Sequence, residues 1–332
     1  MGRHLALVGA TGAVGQEFLR VLEQRNFPFD QFTLLASKRS AGKTATFKGQ
    51  TYTIQELTEE SFTGVDVALF SAGGSISRTY APAAARAGAV VVDNSSAFRM
   101  DPETPLVVPE VNPQDISRHK GIIANPNCST IIMVVPVWPL HRLCPIERLV
   151  VSTYQAASGA GYQAMLELEE QTREALAGRP ITPKVLPHRM AFNLFSHNSA
   201  INETGYNEEE LKMVHETRKM FHEENIQIAA TCVRVPVLRA HSESINIRFS
   251  RPVTEQEVRE ALASAPGVRI VDDRTANYFP MPIESSDGDD IFVGRIRQDI
   301  SQPDGHGIEM FISGDQLRKG AALNAVQIAE LL

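Results

Sequence analysis

A chain of 332 residues, 43% hydrophobic and 21% charged, is long enough for two domains that each bury a core of their own. Its 32 basic and 39 acidic side chains give a net charge of -7, which argues against a nucleic-acid-binding surface because neutralising phosphates requires clustered cations. No apolar run approaches the ~18 residues that cross a bilayer, and the first residues do not read as a signal peptide. We therefore expect a cytoplasmic protein with neither nucleic-acid nor membrane partners.

The first half of the chain alternates strand-like and helix-like segments. The predicted helices are residues 13–24 and 80–87. The predicted strands are residues 5–10, 32–36, 67–72 and 89–92. Strands that alternate with helices predict an α/β fold of the Rossmann type, in which a doubly wound parallel sheet carries helices on both faces.

After about residue 128 the strand candidates become longer and more amphipathic. One helix is predicted at 162–176, and the predicted strands are residues 148–156, 228–237, 244–249 and 308–313. This pattern predicts an α+β domain with a mixed or antiparallel sheet. We therefore expect domains at 1–127 and 128–314, with a helical segment at 315–332 that packs back on the first domain.

A glycine-rich turn joins the first predicted strand to the first predicted helix. It reads Gly9-Ala10-Thr11-Gly12-Ala13-Val14-Gly15. Glycines here permit a tight turn and let backbone N–H groups approach a pyrophosphate at the helix N-terminus. The spacing is Gly-x-x-Gly-x-x-Gly, where the common fingerprint is Gly-x-Gly-x-x-Gly. Its position at the first strand of an alternating pattern favours dinucleotide binding over a turn kept for packing alone.

The residues that follow the second predicted strand indicate which dinucleotide binds. An NAD site usually has an Asp or Glu there, which holds the 2′-hydroxyl of the ribose. Here the sequence runs Ala36-Ser37-Lys38-Arg39-Ser40 and contains no carboxylate. Cations and hydroxyls suit a 2′-phosphate, so Arg39 and Ser40 predict NADP as the cofactor. The alternative interpretation of so short a basic run is a solvated loop.

Three cysteines leave one unpaired in any disulfide scheme and lack the spacing of metal ligands, so we expect reduced thiols and no metal site. Cys144 and Cys232 have apolar neighbours, which is typical of inert core cysteines. Cys128 lies between the polar Asn127 and Ser129, shortly before an apolar run at 131–135, which places it at or near the start of a helix. Unpaired N–H groups and the helix dipole stabilise a thiolate there and lower the pKa of the cysteine. Cys128 is therefore the candidate nucleophile.

A cysteine nucleophile needs an acid–base partner that is usually distant in sequence. His241 is predicted in a loop between two strong strand candidates, where catalytic groups are common. Arg234 is the interior cation of an otherwise apolar strand, which is a costly position unless it pairs with a carboxylate of the protein or of a ligand. Five other histidines are predicted on solvated or packing surfaces: His141, His188, His197, His215 and His222.

Further motifs occur in a fixed order along the chain. They are Asp93-Asn94-Ser95-Ser96-Ala97-Phe98-Arg99, Asn125-Pro126-Asn127-Cys128-Ser129-Thr130, Ser152-Thr153-Tyr154-Gln155, Ser158-Gly159-Ala160-Gly161 and Lys319-Gly320-Ala321-Ala322. Together with the glycine-rich turn, residues 36–43 and residues 234–241, they make the chain resemble the aspartate-semialdehyde dehydrogenase family from end to end. Two features depart from the family pattern: Ile132 replaces a residue that is polar in many members, and residues 195–204 differ in a way that leaves their role open.

The resemblance implies a phosphorylating aldehyde dehydrogenase. The implied reaction interconverts L-aspartate 4-semialdehyde, phosphate and NADP+ with L-4-aspartyl phosphate and NADPH through a cysteine thioester. It would serve the biosynthesis of lysine and diaminopimelate, methionine, threonine and isoleucine. The first domain would bind NADP, the second would carry catalysis and dimerisation, and the protein would be a homodimer whose other partners are its small substrate and inorganic phosphate.

The resemblance also implies a role for individual residues. Cys128 would form the thioester, His241 would act as acid–base, and Gln155 would orient the thiohemiacetal. Substrate would contact Arg234, Glu209 and Gln155, and phosphate would contact Arg99, Asn127 and Lys212. Without the resemblance, Glu209 and Lys212 would be an ordinary i,i+3 surface pair. The implied cofactor contacts are Gly9, Thr11, Gly12, Ala13, Val14, Arg39, Ser40, Ser158, Gly159 and Gln316.

Three alternatives are less consistent with these residues. N-acetyl-γ-glutamyl-phosphate reductases usually carry Gly-Cys at the nucleophile, and glyceraldehyde-3-phosphate dehydrogenases carry Ser-Cys-Thr-Thr-Asn and prefer NAD. The chain has neither motif. A related binding protein that had lost its chemistry could discard Cys128 and His241, and both are present.

Overall fold

The computed structural model describes residues 2–332. The chain forms two compact units, one that ends at Asn127 and also contains Ala321–Leu332, and one that spans Cys128–Gly320. None of the helices within the described residues combines the length and the apolar character that a membrane span requires.

The first unit contains a six-stranded, fully parallel sheet. Its elements in chain order are β1 (His4–Val8), α1 (Ala13–Gln24), β2 (Gln31–Ala36), β3 (Thr44–Phe47), β4 (Gln50–Thr53), β5 (Gln55–Glu56), β6 (Val67–Phe70), α2 (Gly74–Arg86), β7 (Val90–Asp93) and β8 (Ile122–Ala124). The strand order is β5-β2-β1-β6-β7-β8, and β3 and β4 form a separate antiparallel hairpin. The predicted Rossmann-type parallel sheet is confirmed.

Both faces of this sheet are buried, which explains why its strands are continuous apolar runs. Leu5 and Leu7 of β1 point into a cluster with Phe18 of α1 and with the C-terminal residues 322–329. The alternate residues of β1 point into a second cluster that contains Ala81 of α2. Each face of the sheet therefore has its own hydrophobic core.

Helix α2 begins six residues before its predicted start at residue 80. Its first turns read Gly-Ser-Ile-Ser-Arg-Thr, a weakly helix-forming sequence that gives no local signal. The fully buried Ser77 instead donates a hydrogen bond of 2.6 Å to Asp93 at the end of β7. This hydrogen bond between residues distant in sequence thus stabilises the first turns of α2, which the local sequence does not favour.

The second unit contains a seven-stranded mixed sheet in the order β10-β11-β9-β12-β15-β14-β13. Its elements are α3 (Cys128–Leu143), β9 (Ile146–Gln155), α4 (Tyr162–Leu176), β10 (Phe195–Ser196), α5 (Glu208–Phe221), β11 (Gln227–Arg234), β12 (His241–Phe249), α6 (Glu255–Ala263), β13 (Val268–Ile270), α7 (Pro282–Ser285), β14 (Ile291–Gln298) and β15 (Gly307–Gly314). Strand β11 runs parallel to β9, whereas β12 runs antiparallel to both β9 and β15. The predicted mixed sheet is confirmed.

The mixed sheet has one covered and one open face. On β9, Leu149, Val151 and Thr153 are buried, whereas the alternating Val150, Ser152 and Tyr154 are partly or fully exposed. On the covered side, α3 packs against α5 and α6, and the rings of Trp138 and Phe221 lie 4.8 Å apart. An open sheet face of this kind is a surface on which another chain could pack.

The C-terminal segment differs from its predicted form. A π-helical turn at Arg318–Ala322 precedes a short helix, α8 (Leu323–Glu330), where one helix was predicted at 315–332. Residues 315–320 belong to the second unit because Asp315 accepts a hydrogen bond of 2.6 Å from Arg239 and Gln316 accepts one of 2.9 Å from the Ala240 N–H. Only the following residues return to the first unit.

Strand β12 carries a carboxyl group into the core. Glu243 is fully buried, and neither of its carboxyl oxygens has a hydrogen-bond partner among the described residues. Burial without a partner penalises the charged form, so it raises the pKa of Glu243 well above the ordinary carboxyl value. The folded protein therefore keeps a proton on Glu243 at pH values where the unfolded chain releases it.

Glu243→Gln is expected to make the protein more stable than the wild type at pH 8, with a gain that shrinks toward pH 5. Because the folded pKa is raised, the wild type loses up to about 1.4 kcal/mol of unfolding free energy per pH unit as the pH rises from the unfolded to the folded pKa. Glutamine does not titrate and has no such loss. Denaturant unfolding of both proteins from pH 5 to pH 8 measures the difference, with the exposed Glu203→Gln as control. A pH-independent difference would contradict a protonated Glu243.

Candidate active site

Three strand ends of the mixed sheet bring the candidate residues together. Gln155 ends β9 and Arg234 ends β11, and the two are register partners in parallel strands. His241 begins β12, which runs antiparallel to β9 and so starts where β9 ends. His241 is therefore the first residue of a strand, and its predicted placement in a loop is wrong. Ala240 before it adopts a left-handed backbone with φ 69°, which turns the chain into β12.

Cys128 and His241 form a side-chain pair. Cys128 is the first residue of α3, as predicted, and its Sγ lies 3.6 Å from Nε2 of His241. The backbone N–H of Ala156 donates a 3.0 Å hydrogen bond to the other ring nitrogen, Nδ1. Because Nδ1 accepts, a neutral ring carries its proton on Nε2, which faces the sulfur. That proton can stabilise a thiolate on Cys128.

The surroundings of His241 keep its ring neutral. Complete burial, followed by the positive charge of Arg234, lowers the pKa of His241 to about 3. The ring therefore enters a reaction at neutral pH as an Nε2–H donor. The same donor can serve an oxygen that becomes negative when the sulfur adds to a carbonyl group.

Two glycines lie so close to this pair that a side chain would collide with it. A Cβ added to Gly159 would lie 3.0 Å from Nη1 of Arg234 and 3.0 Å from Cε1 of His241. A Cβ added to Gly320 would lie 3.0 Å from Cβ of Cys128. Glycine at both positions thus leaves room beside the candidate catalytic atoms.

Arg234 is buried, with 5% of its surface exposed. Its Nη1 donates to the carbonyl oxygen of Ala156 at 3.2 Å, and its Nη2 lies 2.9 Å from Nε2 of His197. Its Nε–H has no hydrogen-bond partner among the described residues. Within residues 2–332 no carboxylate is therefore in direct contact with Arg234, and the hypothesis of a protein carboxylate as its partner is not confirmed. The negative charge of Glu209 nevertheless favours the charged form of Arg234. A buried guanidinium with an unused donor fits a ligand carboxylate.

A polar network extends from Gln155 to Lys212. Nε2 of Gln155 donates to Ser129 Oγ at 3.0 Å and to Oε1 of Glu209 at 3.1 Å. Oε2 of Glu209 lies 3.1 Å from Nζ of Lys212 in the first turns of α5. Glu209 is buried and is held by Gln155, so these two residues are not the solvated surface pair that their spacing alone indicates.

His197 also belongs to this group, and its predicted place on a solvated or packing surface is wrong. Beyond its contact with Arg234, its Nδ1 lies 3.0 Å from Ser199 Oγ, and Ser199 Oγ accepts a 3.2 Å hydrogen bond from the Glu209 N–H. Strand β10, which leads into His197, has only two residues and is too short for a hydrophobic pattern to reveal. The pairing of Phe195 with Arg234 across β10 and β11 places His197 here.

Ser158 and Gln316, two predicted cofactor contacts, are bonded to each other. Nε2 of Gln316 donates to Ser158 Oγ, and both side chains are buried. Gly159 follows Ser158 in a short 3₁₀ turn at Ala157–Ala160. The second unit therefore holds Ser158 and Gly159 in one turn, to which the side chain of Gln316 is bonded.

In the first unit, the glycine-rich turn lies between β1 and α1 as predicted. Gly9 has φ 89°, and a Cβ there would lie 2.2 Å from the carbonyl oxygen of Ser71, so only glycine fits. The carbonyl of Gly9 accepts from the N–H of Gly12, and α1 begins at Ala13 with no side-chain cap on its N-terminus. Thr11 is exposed and Val14 is half-buried. A tight glycine turn that leads into a helix N-terminus without a side-chain cap fits a pyrophosphate, because the first backbone N–H groups of a helix favour an anion.

The predicted 2′-phosphate contacts follow β2, which ends at Ala36. Ser37, Lys38 and Arg39 are exposed, whereas Ser40 is buried and its N–H donates to the carbonyl of Ser37 at 2.8 Å. No acidic residue occurs between 36 and 43. An exposed cation beside a turn of this kind fits an added phosphate group.

The three predicted phosphate contacts are divided between the units. Arg99 and Asn127 are buried residues of the first unit, and Lys212 belongs to the second. Nε of Arg99 donates to the carbonyl of Asn125 at 2.9 Å, and its Nη2 donates to the carbonyl of Asn94 at 2.8 Å. These backbone acceptors fix the direction of the Arg99 guanidinium.

The remaining cysteines are buried, as predicted. Burial raises the pKa of the Cys232 thiol, and its sulfur lies 3.8 Å from the sulfur of Met213. Cys144 lies at the end of α3 against Ser250. Within residues 2–332 no group of three or more His, Cys, Asp or Glu side chains is arranged to hold a metal ion.

Comparison with known proteins shows which family the chain belongs to. Two family models match: semialdehyde dehydrogenase, NAD binding domain, at residues 4–119, and semialdehyde dehydrogenase, dimerisation domain, at residues 137–319. The aspartate-semialdehyde dehydrogenase of Synechocystis is 57% identical over 99% of this chain and 96% of its own, and that of Bacillus subtilis is 50% identical over 100% and 97%.

Solved structures give the same result. The Vibrio cholerae aspartate semialdehyde dehydrogenase II complexed with ASA has a TM-score of 0.96 and 44% identity, covering 100% of this chain and 98% of its own. The Candida albicans aspartate semialdehyde dehydrogenase with NADP has a TM-score of 0.77 and 27% identity over 100% and 98%. With full-length relatives at this identity, the chain belongs to the aspartate-semialdehyde dehydrogenase family.

Proposed function

We propose that this chain interconverts L-aspartate 4-semialdehyde, phosphate and NADP+ with L-4-aspartyl phosphate and NADPH through a thioester on Cys128. The observation that carries the proposal is the distance of 3.6 Å between Sγ of Cys128 and Nε2 of His241. Cys128 is the first residue of α3, and the buried Arg234 lies beside this pair. By analogy with the family, the activity would serve the biosynthesis of lysine and diaminopimelate, methionine, threonine and isoleucine.

The chemistry begins with a bond between sulfur and the aldehyde carbon. The thiolate of Cys128, stabilised by the N-terminus of α3 and by the Nε2–H of His241, attacks the carbonyl carbon. The Nε2–H of His241 donates a hydrogen bond to the carbonyl oxygen as negative charge develops there. The product is the anion of a thiohemiacetal, whose hydrogen on the former aldehyde carbon can leave as hydride.

Conversion of the thiohemiacetal anion to a thioester releases a hydride. When bound, NADP+ supplies the hydride acceptor. The negative charge on the oxygen becomes the second bond of the carbonyl group, and the Nε2–H of His241 remains in place beside that oxygen. Phosphate then attacks the thioester carbon, and the carbon–sulfur bond breaks to give aspartyl phosphate and the thiolate of Cys128.

Substrate orientation is assigned to Arg234, Glu209 and Gln155. The unused Nε–H of Arg234 supports binding of the substrate α-carboxylate. The carboxylate of Glu209 can attract the substrate amino group while it also positions Lys212. Gln155, held by Ser129 and Glu209, would orient the thiohemiacetal oxygen.

Phosphate binding is assigned to Arg99, Asn127 and Lys212. Each cation can stabilise the dianionic nucleophile and the charge that develops as it attacks the thioester. The backbone contacts that fix Arg99 and the ion pair that fixes Lys212 support this assignment.

NADP is the proposed cofactor, and the residues present fit it. The contacts proposed in the first unit are Gly9, Thr11, Gly12, Ala13, Val14, Arg39 and Ser40, and those in the second are Ser158, Gly159 and Gln316. The tight approach at Gly9 and the uncapped start of α1 support pyrophosphate binding. The carboxylate-free stretch after β2 supports the 2′-phosphate.

Arg39→Ala is expected to weaken binding of NADP(H) about 10- to 100-fold while NAD(H) binding changes little. Only NADP carries the 2′-phosphate, and a hydrogen bond to a charged group contributes about 1.5–3 kcal/mol. Fluorescence titration with both reduced cofactors measures the two dissociation constants. Lys48→Ala, an exposed cation in the β3–β4 hairpin, is the matched control. An equal loss for both cofactors would mean that Arg39 has a structural role.

We also propose a homodimer. Support comes from the match to a dimerisation domain across the second unit and from the open face of the mixed sheet, which exposes Tyr154, Thr231 and Ser244. A face with this composition can be covered by the same face of a second copy. Sedimentation equilibrium of the purified chain measures the mass, and a monomer at micromolar concentration would contradict the proposal.

A coupled absorbance assay tests the proposed function. Purified protein with aspartate semialdehyde, phosphate and NADP+ should produce NADPH, and removal of either phosphate or substrate should abolish sustained turnover. N-acetylglutamate semialdehyde in place of aspartate semialdehyde is the discriminating control. Comparable turnover of both aldehydes, or none of aspartate semialdehyde, would reject the proposal.

A further inference from the structure

His197 lies just after the two-residue strand β10, and its ring contacts Arg234. The ring is part-buried, and the backbone N–H of His197 is fixed by a 2.8 Å hydrogen bond to the carbonyl of Cys232. Its two ring nitrogens face different partners, Nη2 of Arg234 at 2.9 Å and Oγ of Ser199 at 3.0 Å. The ring therefore links the guanidinium to the chain that precedes α5.

The contact with Arg234 determines where the ring proton lies. A guanidinium can only donate, so Nε2 of His197 must accept and Nδ1 must carry the proton. The N–H of Ser199 also lies 3.2 Å from Nδ1 and would favour the opposite tautomer. The charge-assisted bond is about twice as strong as a neutral one, so the Nδ1–H form is favoured. Its proton then donates to Ser199 Oγ.

The surrounding charges agree with a neutral ring. Burial is the main cause that lowers the pKa of His197 to about 4, and the positive charges of Arg234 and Lys212 lower it further. The negative charge of Glu209 opposes them with a smaller effect than burial. His197 is therefore an acceptor for Arg234 throughout the neutral pH range.

The same contact determines which donors of Arg234 remain for a ligand. Of its five N–H groups, one Nη1 donor goes to Ala156 and one Nη2 donor goes to His197. Its Nε–H has no hydrogen-bond partner among the described residues. The Nε–H and the Nη2 group lie on the same side of the guanidinium and form the side-on fork that matches a carboxylate.

We propose that His197 is a positioning residue for substrate binding, which holds the guanidinium of Arg234 so that its side-on fork stays available to the substrate carboxylate. This inference rests on the proposed function, in which Arg234 binds that carboxylate. Because Ser199 also accepts from the Glu209 N–H, the two groups assigned to the substrate's carboxylate and amine are held by one short segment. His197 itself would not touch the reacting atoms.

His197→Leu removes the acceptor and is expected to raise KM for aspartate semialdehyde about tenfold or more with kcat changed by less than about threefold. The loss of an interaction that binds substrate and transition state equally raises KM alone. His197→Gln retains an acceptor oxygen and should restore KM to within about threefold of the wild type. His188→Leu replaces an exposed histidine nearby and is the matched control. Steady-state kinetics at saturating NADP+ and phosphate measure all four proteins.

A double-mutant cycle separates positioning from a general structural effect. If His197 acts through Arg234, then His197→Leu added to Arg234→Lys should raise KM by less than about twofold beyond Arg234→Lys alone. Thermal unfolding and the rate of Cys128 alkylation should match the wild type in each variant. Equal KM values in His197→Leu and the wild type, failure of glutamine to restore KM, or additive effects in the cycle would overturn the inference. A wild type with no activity on aspartate semialdehyde would instead overturn the proposed function, and the inference with it.

Discussion

Cys128→Ala is expected to lower phosphorylating dehydrogenase activity by at least about 10⁴-fold, because no other group can form the thioester. The fold should survive, since Cys128 is only half-buried and alanine fits beside Gly320. NADP(H) binding should stay within about twofold of the wild type. The coupled assay measures activity, and fluorescence titration measures cofactor binding.

Cysteine reactivity supplies the control for this prediction. Alkylation with iodoacetamide at neutral pH should label Cys128 well before Cys144 or Cys232, because both of the latter are buried. Cys144→Ala should keep near-normal turnover. Preferential labelling of either buried cysteine, or substantial activity of Cys128→Ala, would show that the nucleophile lies elsewhere.

Arg234→Lys is expected to reduce kcat/KM for aspartate semialdehyde about 100-fold. The guanidinium presents two parallel donors to a planar carboxylate, whereas the lysine ammonium is a single point charge on a flexible four-carbon stem. A lysine also loses the simultaneous contacts to Ala156 and His197, so the substrate carbon is less well placed beside Cys128. Displacement of a reacting atom by about 1 Å can cost roughly a hundredfold in rate.

The selectivity of the wild type and the reactivity of the variant check this interpretation. N-acetylglutamate semialdehyde is one methylene longer and carries a neutral amide, so the unmodified enzyme should use it poorly. The alkylation rate of Cys128 in Arg234→Lys should remain within about threefold of the wild type. Near-normal kinetics of Arg234→Lys would mean that the substrate carboxylate is held elsewhere.

The sequence predicted the parallel sheet well because its signal is local. Helices α1 and α4 begin and end at the predicted residues, and the apolar runs that became β1, β2, β6 and β7 are buried on both faces. Helix α2 shows the limit of local patterns, since its first turns depend on Ser77 bonding to a distant strand end. The short strands β10 and β13 contain too few residues for a period to emerge.

Some properties of the candidate site were visible in the sequence and others required the fold. The position of Cys128 at a helix start follows from its polar neighbours and the apolar run after it. The meeting of Gln155, Arg234 and His241 depends on the register of three strands, which no single segment encodes. His197 was missed because its partner is 37 positions away and the pairing of β10 with β11 brings them together.

The family resemblance indicated which residues are functional, and the structure shows the contacts that explain their roles. The resemblance implied that Glu209 and Lys212 are functional, whereas their spacing alone indicated a surface pair. The structure shows a buried Glu209 bonded to Gln155, which gives that assignment a physical basis. The neutral state of His241 could not be inferred from sequence, because it follows from the complete burial of the ring and from the nearby Arg234.

The most direct test of the account is to observe the thioester on Cys128. The protein is mixed with aspartate semialdehyde and NADP+ without phosphate, quenched in acid within seconds, digested and measured by mass spectrometry. The peptide that contains Cys128 should gain the mass of one aspartyl group, and phosphate added before the quench should remove that gain and release NADPH over many turnovers. An unmodified Cys128 peptide during active turnover, or an aspartyl group on any other residue, would contradict catalysis through Cys128.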